Sequence, residues 1–182
     1  MQYFDATPAP VPELPLNAFN PGMHTTTNVS AALSEDTVLT GLWFTADGTK
    51  MFTCGQTNDR IYRYDLSTPW LLSSQSFVHH AGIATQTTNP LGLVMNPTGT
   101  KAFVLDSTDN IDEYSLSTPY DLTTISYVGT LSIGAQEPSP NNISLSADGS
   151  KLYVTGSAGV HQYTLPTPYS LSSASHAGSI LT

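Results

Sequence analysis

A stretch of sequence that returns three times, at a spacing of roughly fifty residues, constrains this chain more than any other feature. The last copy runs Ala147-Asp148-Gly149-Ser150-Lys151-Leu152-Tyr153-Val154-Thr155 and continues to Gln162-Tyr163-Thr164-Leu165-Pro166-Thr167-Pro168-Tyr169. Earlier copies begin at Ala46-Asp47-Gly48-Thr49-Lys50 and Pro97-Thr98-Gly99-Thr100-Lys101, and reach Thr68-Pro69-Trp70 and Thr118-Pro119-Tyr120. Repeats of this length mean solenoids, propellers or arrays, because one unit cannot bury its own faces and must stack on its neighbours.

Each copy reads as four short strands. The first holds Leu42-Trp43-Phe44, Leu93-Val94-Met95 or Ile143-Ser144-Leu145. A tight turn follows at Asp47-Gly48, Thr98-Gly99 or Asp148-Gly149, which suits a primed hairpin turn because both residues of Asp-Gly tolerate positive φ. The second strand starts at Lys50, Lys101 or Lys151, a shared position that implies solvated strand-start lysines. In the third strand, alternation puts Ile61 and Arg63 on one face and Tyr62 and Tyr64 on the other. A connection carrying Pro69, Pro119 or Pro168 leads to the fourth strand near Phe77, Tyr127 or His176. The fold class is therefore all-β, made of β-propeller-type four-stranded blades in three repeats, incomplete within one chain and preceded by an extended Pro-rich arm. The expected divisions are the arm over 1–23, a lone strand and connector over 24–38, and blades over 39–90, 91–140 and 141–182. Three blades fall short of the four to eight that usually close a ring, so several chains complete a ring together as a homo-oligomer, or the chain is part of a longer protein, or the array stays open.

The arm carries Pro8, Pro10, Pro12, Pro15 and Pro21, which fix φ and favour an extended path. It also carries Tyr3, Phe4, Leu14, Leu16 and Phe19, more apolar surface than a solvated linker needs, and these are the candidate partner-binding residues. The start shows no basic and apolar leader pattern, and no apolar run reaches membrane-spanning length, so no membrane association is expected. A net charge of −9 with five Lys and Arg excludes binding to phosphate backbones, so no nucleic acid is expected either. Cys54 is the sole cysteine, which rules out an internal disulfide and reads as a small buried residue.

Asp148-Gly149-Ser150-Lys151-Leu152-Tyr153-Val154-Thr155 resembles the YVTN-type repeat of bacterial and archaeal β-propellers. The stretch Tyr114-Ser115-Leu116-Ser117-Thr118-Pro119-Tyr120-Asp121-Leu122, followed by Ser126-Tyr127-Val128, is similar to propeller repeats of tailed-phage and marine bacterial proteins. The resemblance implies a non-enzymatic structural or attachment protein of a phage virion, its arm anchored to other virion proteins and its blades displayed to a host-surface glycan or protein. The alternatives are an extracellular or cell-surface propeller of bacteria that binds a glycan or protein, and a metal-dependent lactonase-like hydrolase. Lactonase-type propellers hold a metal at the entrances of their inner strands, and the matching positions here are Gly41, Gly92 and Asn142, of which Asn142 alone offers a ligand.

Few residues invite chemistry. Variation between copies concentrates in the loops at 55–59, 106–110 and 156–159 and in the longer connections at 79–90 and 131–141, all on one face, where recognition is expected. Asp106, Asp109, Asp112 and Glu113 form the densest carboxylate group, and the first three are the candidates for a hard cation, against a plain acidic loop. His79 and His80 point to opposite faces of a strand, His176 stands in for Phe77 and Tyr127, and His161 occupies an ordinary strand position. Trp70, Tyr120 and Tyr169 share one repeat position and read as structural plugs. No catalytic residue and no cofactor is assigned.

Overall fold

The computed structural model describes residues 33–182. The arm with Tyr3, Phe4, Leu14, Leu16 and Phe19, and the strand expected over 24–32, lie outside the described residues. Three four-stranded antiparallel sheets follow one another along the chain, each with its strands in sequence order. Blade 1 comprises β1 (Leu39–Phe44), β2 (Lys50–Gly55), β3 (Arg60–Leu66) and β4 (Gln75–Gly82). Blade 2 comprises β5 (Pro90–Met95), β6 (Lys101–Asp106), β7 (Asn110–Leu116) and β8 (Ile125–Ser132). Blade 3 comprises β9 (Pro140–Leu145), β10 (Lys151–Gly156), β11 (Gly159–Thr164) and β12 (Ser175–Leu181). Among the described residues there is no α-helix, only single 3-10 turns at Leu72–Ser74 and Leu122–Thr124.

The blades stack face to face because each alternating strand is apolar on both sides. Phe52, Cys54, Ile61, Ala81 and Ile83 of blade 1 pack on Leu93, Met95, Ala102, Val104, Tyr114 and Leu116 of blade 2. The same positions one repeat later, Phe103, Leu105, Ile111 and Ile133, pack on Ile143, Leu152, Val154 and Tyr163 of blade 3. First strands line up beside one another, β1 against β5 and β5 against β9. They approach so closely that a Cβ on Gly41 would lie 2.8 Å from the backbone nitrogen of Leu93 and 2.6 Å from the Cys54 sulfur. Burial raises the Cys54 thiol to about 11, so it is a packing group and not a nucleophile.

The hairpin turn differs from the primed type. Only Gly48, Gly99 and Gly149 have positive φ, at 68°, 68° and 70°. The glycine N–H donates to the carbonyl three residues back, at Thr45, Asn96 or Ser146, which is the type I pattern. The preceding residue stays at negative φ because its side chain has another task. Asp47 and Asp148 accept from the backbone N–H and hydroxyl of Thr49 and Ser150, and these bonds, led by those from Thr45 and Ser146, hold both carboxyls near about 2. Glycine is also needed for the close approach of an aromatic ring, because a Cβ on Gly48, Gly99 or Gly149 would lie within 2.4 Å of Trp70, Tyr120 or Tyr169. These three rings sit on residues that themselves have positive φ and whose N–H donates to the turn glycine carbonyl; Tyr120 and Tyr169 are half-buried there, whereas Trp70 is exposed and covers its turn from the surface.

Polar keys cross the two internal interfaces at one repeat position. Arg63 donates to the Tyr120 carbonyl of blade 2 at 3.1 Å. Its counterpart Glu113 is 1% exposed and accepts from the Leu171 N–H of blade 3 at 2.7 Å. The Lys101 ammonium pairs with the other Glu113 oxygen, so this lysine compensates a buried charge and is more than a solvated strand start. His79 and His80 do face opposite ways: His79 reaches Asp121 of blade 2 at 3.3 Å, while His80 lies against Tyr62. His176 packs edge-on to Tyr163, as Phe77 does to Tyr64 and Tyr127 to Tyr114.

Candidate functional site

At the entrance of each first strand, one buried carboxylate fixes the loop between second and third strands. In blade 1 it is Asp36, which accepts from the N–H groups of Val38 at 2.9 Å and of Thr57 and Asn58, both at 3.3 Å. In blade 3 it is Glu137, fully buried, which accepts from Ser139 N–H at 3.0 Å, Ala158 N–H at 2.8 Å and the Ser157 hydroxyl at 3.3 Å. Blade 2 has Thr87 at that position, and its carboxylate comes from Asp106 at the end of β6. Asp106 accepts from Thr108 N–H at 2.8 Å, the Thr108 hydroxyl at 2.9 Å and Asn110 N–H at 3.0 Å.

These carboxylates occupy one place in the repeat. Position 106 corresponds to Gly55 and Gly156. A Cβ on Gly55 would fall 2.6 Å from the Asp36 carboxyl carbon, and one on Gly156 would fall 2.3 Å from that of Glu137. Where the carboxylate arrives from the connector, the strand end must be glycine. Where the strand end supplies it, the connector carries a small hydroxyl. Burial raises the Asp36 and Glu137 carboxyls, but the converging N–H and O–H donors outweigh it and both lie below their usual range.

A second titratable group stands beside each carboxylate, on the third strand. The Tyr62 hydroxyl lies 3.3 Å from Asp36, and the His161 ring nitrogen lies 3.6 Å from Glu137. His161 is 3% exposed in its side chain, and neither ring nitrogen has a hydrogen-bond partner, so its position is less ordinary than the sequence implied. In blade 2 the group is Asp112, buried on the face toward blade 1 with one carboxylate oxygen unpartnered. Burial holds Asp112 above the usual carboxylate range; the Thr130 hydroxyl lowers it and the charge of Asp106 raises it. A carboxyl raised on folding contributes its full stability below its ordinary value of 3.8 and loses it as pH climbs through the folded value. Asp112→Asn should therefore raise the melting temperature at pH 7 by about 2–4 °C, the size of a 1 kcal/mol gain in a chain this long. The gain should vanish at pH 3.5, and melting curves at the two pH values read it directly.

The acidic group singled out from the sequence thus divides its tasks. Asp106 is a loop anchor, Asp112 faces the interface with blade 1, and Asp109 sits in the turn at φ 63° with its carboxylate near Gly134. Among the described residues no three His, Cys, Asp or Glu side chains gather as a metal site. The inner-strand entrances do not fit a metal either. Gly41 has no room for a side chain, Gly92 offers none, and the Asn142 carboxamide oxygen already accepts from Ile143 N–H at 2.8 Å.

What the first strands do form is an axial cleft of about 360 Å³. Its walls include Trp43, Val94, Asn142, Ser144 and Tyr169. Trp43 is held in place by Phe52 and by Tyr120, with ring centroids 5.9 and 6.4 Å away. Asn142 and Ser144 are exposed on β9. With its oxygen fixed by Ile143, Asn142 keeps its amide N–H groups for a ligand. The cleft offers an apolar ring, an amide donor and a hydroxyl, the mixture that fits a small polar molecule. Sequence reading passed over it because its polar members appear in blade 3 only.

No protein-family model matches the chain, and no curated protein matches it in sequence. Solved structures match its shape. A protein of Bacteroides uniformis provisionally designated a 6-phosphogluconolactonase matches with a TM-score of 0.55 at 19% identity, over 79% of this chain and 41% of that one. A protein of Bacteroides fragilis with the same provisional designation matches with a TM-score of 0.57 at 16% identity, over 79% and 42%. The periplasmic gluconolactonase of Pseudomonas aeruginosa matches with a TM-score of 0.55 at 12% identity, over 77% and 39%. The chain spans about two fifths of the length of these structures. At such identities the likeness establishes a β-propeller-like fold. It also corrects the expectation of a non-enzymatic phage structural protein: these three structures bear 6-phosphogluconolactonase or gluconolactonase designations.

Proposed function

We propose that this chain supplies three adjoining blades of a propeller hydrolase that takes small hydroxylated lactones at the axial cleft. The observation that carries the reading is the cleft itself, lined by Trp43, Asn142 and Ser144 where first strands converge, in a fold shared with structures named for gluconolactone hydrolysis. Trp43 presents an apolar face for a sugar-derived ring, and the Asn142 amide donates to the lactone carbonyl, where negative charge grows as water attacks. The reading is of a hydrolase without a metal at the strand entrances, because those positions hold one side-chain oxygen and it is already engaged.

Proton release from glucono-δ-lactone tests it. The purified chain should exceed the spontaneous rate, keep its activity in a chelator, and lose on the order of a hundredfold with Asn142→Ala, the effect of one positioned donor. A rate equal to the spontaneous one would sink the proposal, and loss in a chelator would restore the metal-dependent alternative.

A further inference from the structure

One of the three buried carboxylates keeps an oxygen free. Asp36 uses both of its oxygens on donors from its own blade, and so does Glu137. At Asp106 the Thr108 N–H, the Thr108 hydroxyl and the Asn110 N–H all converge on Oδ1, and among the described residues nothing donates to Oδ2. Asp106 is 2% exposed, yet Oδ2 stays open to solvent because the residue borders a pocket of about 320 Å³. The exchange of the acid between connector and strand end makes that room. Thr87 stands where Glu137 stands in blade 3, and its short side chain leaves unfilled the space that a connector carboxylate would take.

The walls are polar and set in advance. Asn89 Nδ2 donates to Ser107 Oγ at 2.7 Å, Asn89 N–H to Thr87 Oγ1 at 3.1 Å, and Ser107 N–H to the Asn89 carbonyl at 3.1 Å, so the two loops hold each other. With its amide nitrogen turned to Ser107, Asn89 is left with Oδ1 as an acceptor. Thr87 and Ser107 each already accept a bond and keep their O–H groups to donate. None of the lining residues is basic or aromatic, and none is shared with the axial cleft.

We propose that this pocket binds a small hydroxylated primary amine, of the amino-alcohol or amino-sugar class, with its ammonium on Asp106 Oδ2 and Asn89 Oδ1 and its hydroxyl on Thr87 and Ser107. Charge decides the class. A carboxylate this buried favours a cationic donor at its open oxygen. The chain meets that need at Glu113 with Lys101, whereas Asp106 has no basic partner among the described residues and its charged neighbour is another carboxyl, Asp112. A hard metal ion would want several carboxylate oxygens, and no such group gathers there among the described residues. A neutral polyol would leave the charge unmet. An ammonium supplies N–H donors to the two fixed acceptors, and the ligand's hydroxyl takes up the two donors that remain.

Amide chemical-shift titration of the labelled chain tests the site without any activity. Ethanolamine, cationic at pH 7, should move the signals of Thr87, Thr88, Asn89, Ser107 and Thr108 saturably, in the millimolar range that suits one ion pair and a few hydrogen bonds. Ethylene glycol has the hydroxyls without the charge, and potassium chloride the charge without N–H donors; each should bind more weakly by on the order of tenfold or more. Asp106→Asn keeps an acceptor oxygen for Thr108 and Asn110 but turns a donor to the pocket, and should weaken ethanolamine by a similar factor. No saturable shift with ethanolamine overturns the proposal. So do equal shifts with glycol or potassium, which need no variant, and an Asp106→Asn chain that binds like wild type.

Discussion

Glu137→Ala is expected to lower the unfolding free energy by about 3–5 kcal/mol, the cost of breaking a buried charged network. The carboxylate is fully buried and receives three donors, from Ser139, Ser157 and Ala158. Alanine leaves the two N–H groups without acceptors and opens a void beside Gly156, whose missing Cβ made room for the acid. Urea unfolding at pH 7 measures the loss, and a change within about 0.5 kcal/mol, typical of a surface substitution, would contradict it.

The same residue sets an acid limit. Its folded carboxyl lies below the ordinary value of 4.5, so its contribution is present above that value and is lost as pH falls through the folded one. Asp36 adds to this in the same direction, from an ordinary value of 3.8. Wild type should therefore weaken steeply below pH 4.5, and Glu137→Ala should weaken less over that range because part of the linkage is gone.

The repeat was legible because its signals recur at fixed positions. Alternation in Ile61-Tyr62-Arg63-Tyr64 and its copies located the third strands and their faces. The post-proline aromatics showed by their shared position that they lie over the turn glycines, and His176 gave itself away by replacing an aromatic. The carboxylate anchors did not recur in this way. They arrive from 36, 106 and 137, and the compensating residues are Gly55, Thr87 and Gly156. Read along the chain, those differences look like loop variation and like an isolated acidic cluster at 106–113. The available signal was reciprocal: wherever one position carries the acid, the other is glycine or threonine.

Steric limits were equally silent. Gly41 seemed a ligand position left empty, when the neighbouring strand simply lies too close for any side chain. The Asp-Gly turns suggested a primed geometry because Asp tolerates positive φ, yet the aspartate accepts hydrogen bonds at negative φ and the glycine alone crosses over. In both cases the residue type was read correctly and its reason lay in a neighbour remote in sequence. The axial cleft follows the same rule, since Trp43, Val94 and Ser144 meet only once three first strands are placed side by side.

That each blade needs one carboxylate at one place, whatever its origin in the sequence, is the claim on which the reassignment of the acidic cluster rests. Asp106→Gly removes the acceptor of two N–H groups and a hydroxyl and adds backbone freedom, so it should cost about 2–4 kcal/mol. Thr87 occupies the place that Glu137 holds in blade 3, on an identical turn in which Thr87 and Glu137 both donate to an isoleucine carbonyl four residues back. The decisive measurement is the unfolding free energy of Asp106→Gly beside that of the double variant Asp106→Gly, Thr87→Glu. The account predicts that moving the carboxylate to the connector recovers at least about half of the loss, a coupling of neighbouring sites well above simple additivity. A double variant no more stable than Asp106→Gly alone would contradict it.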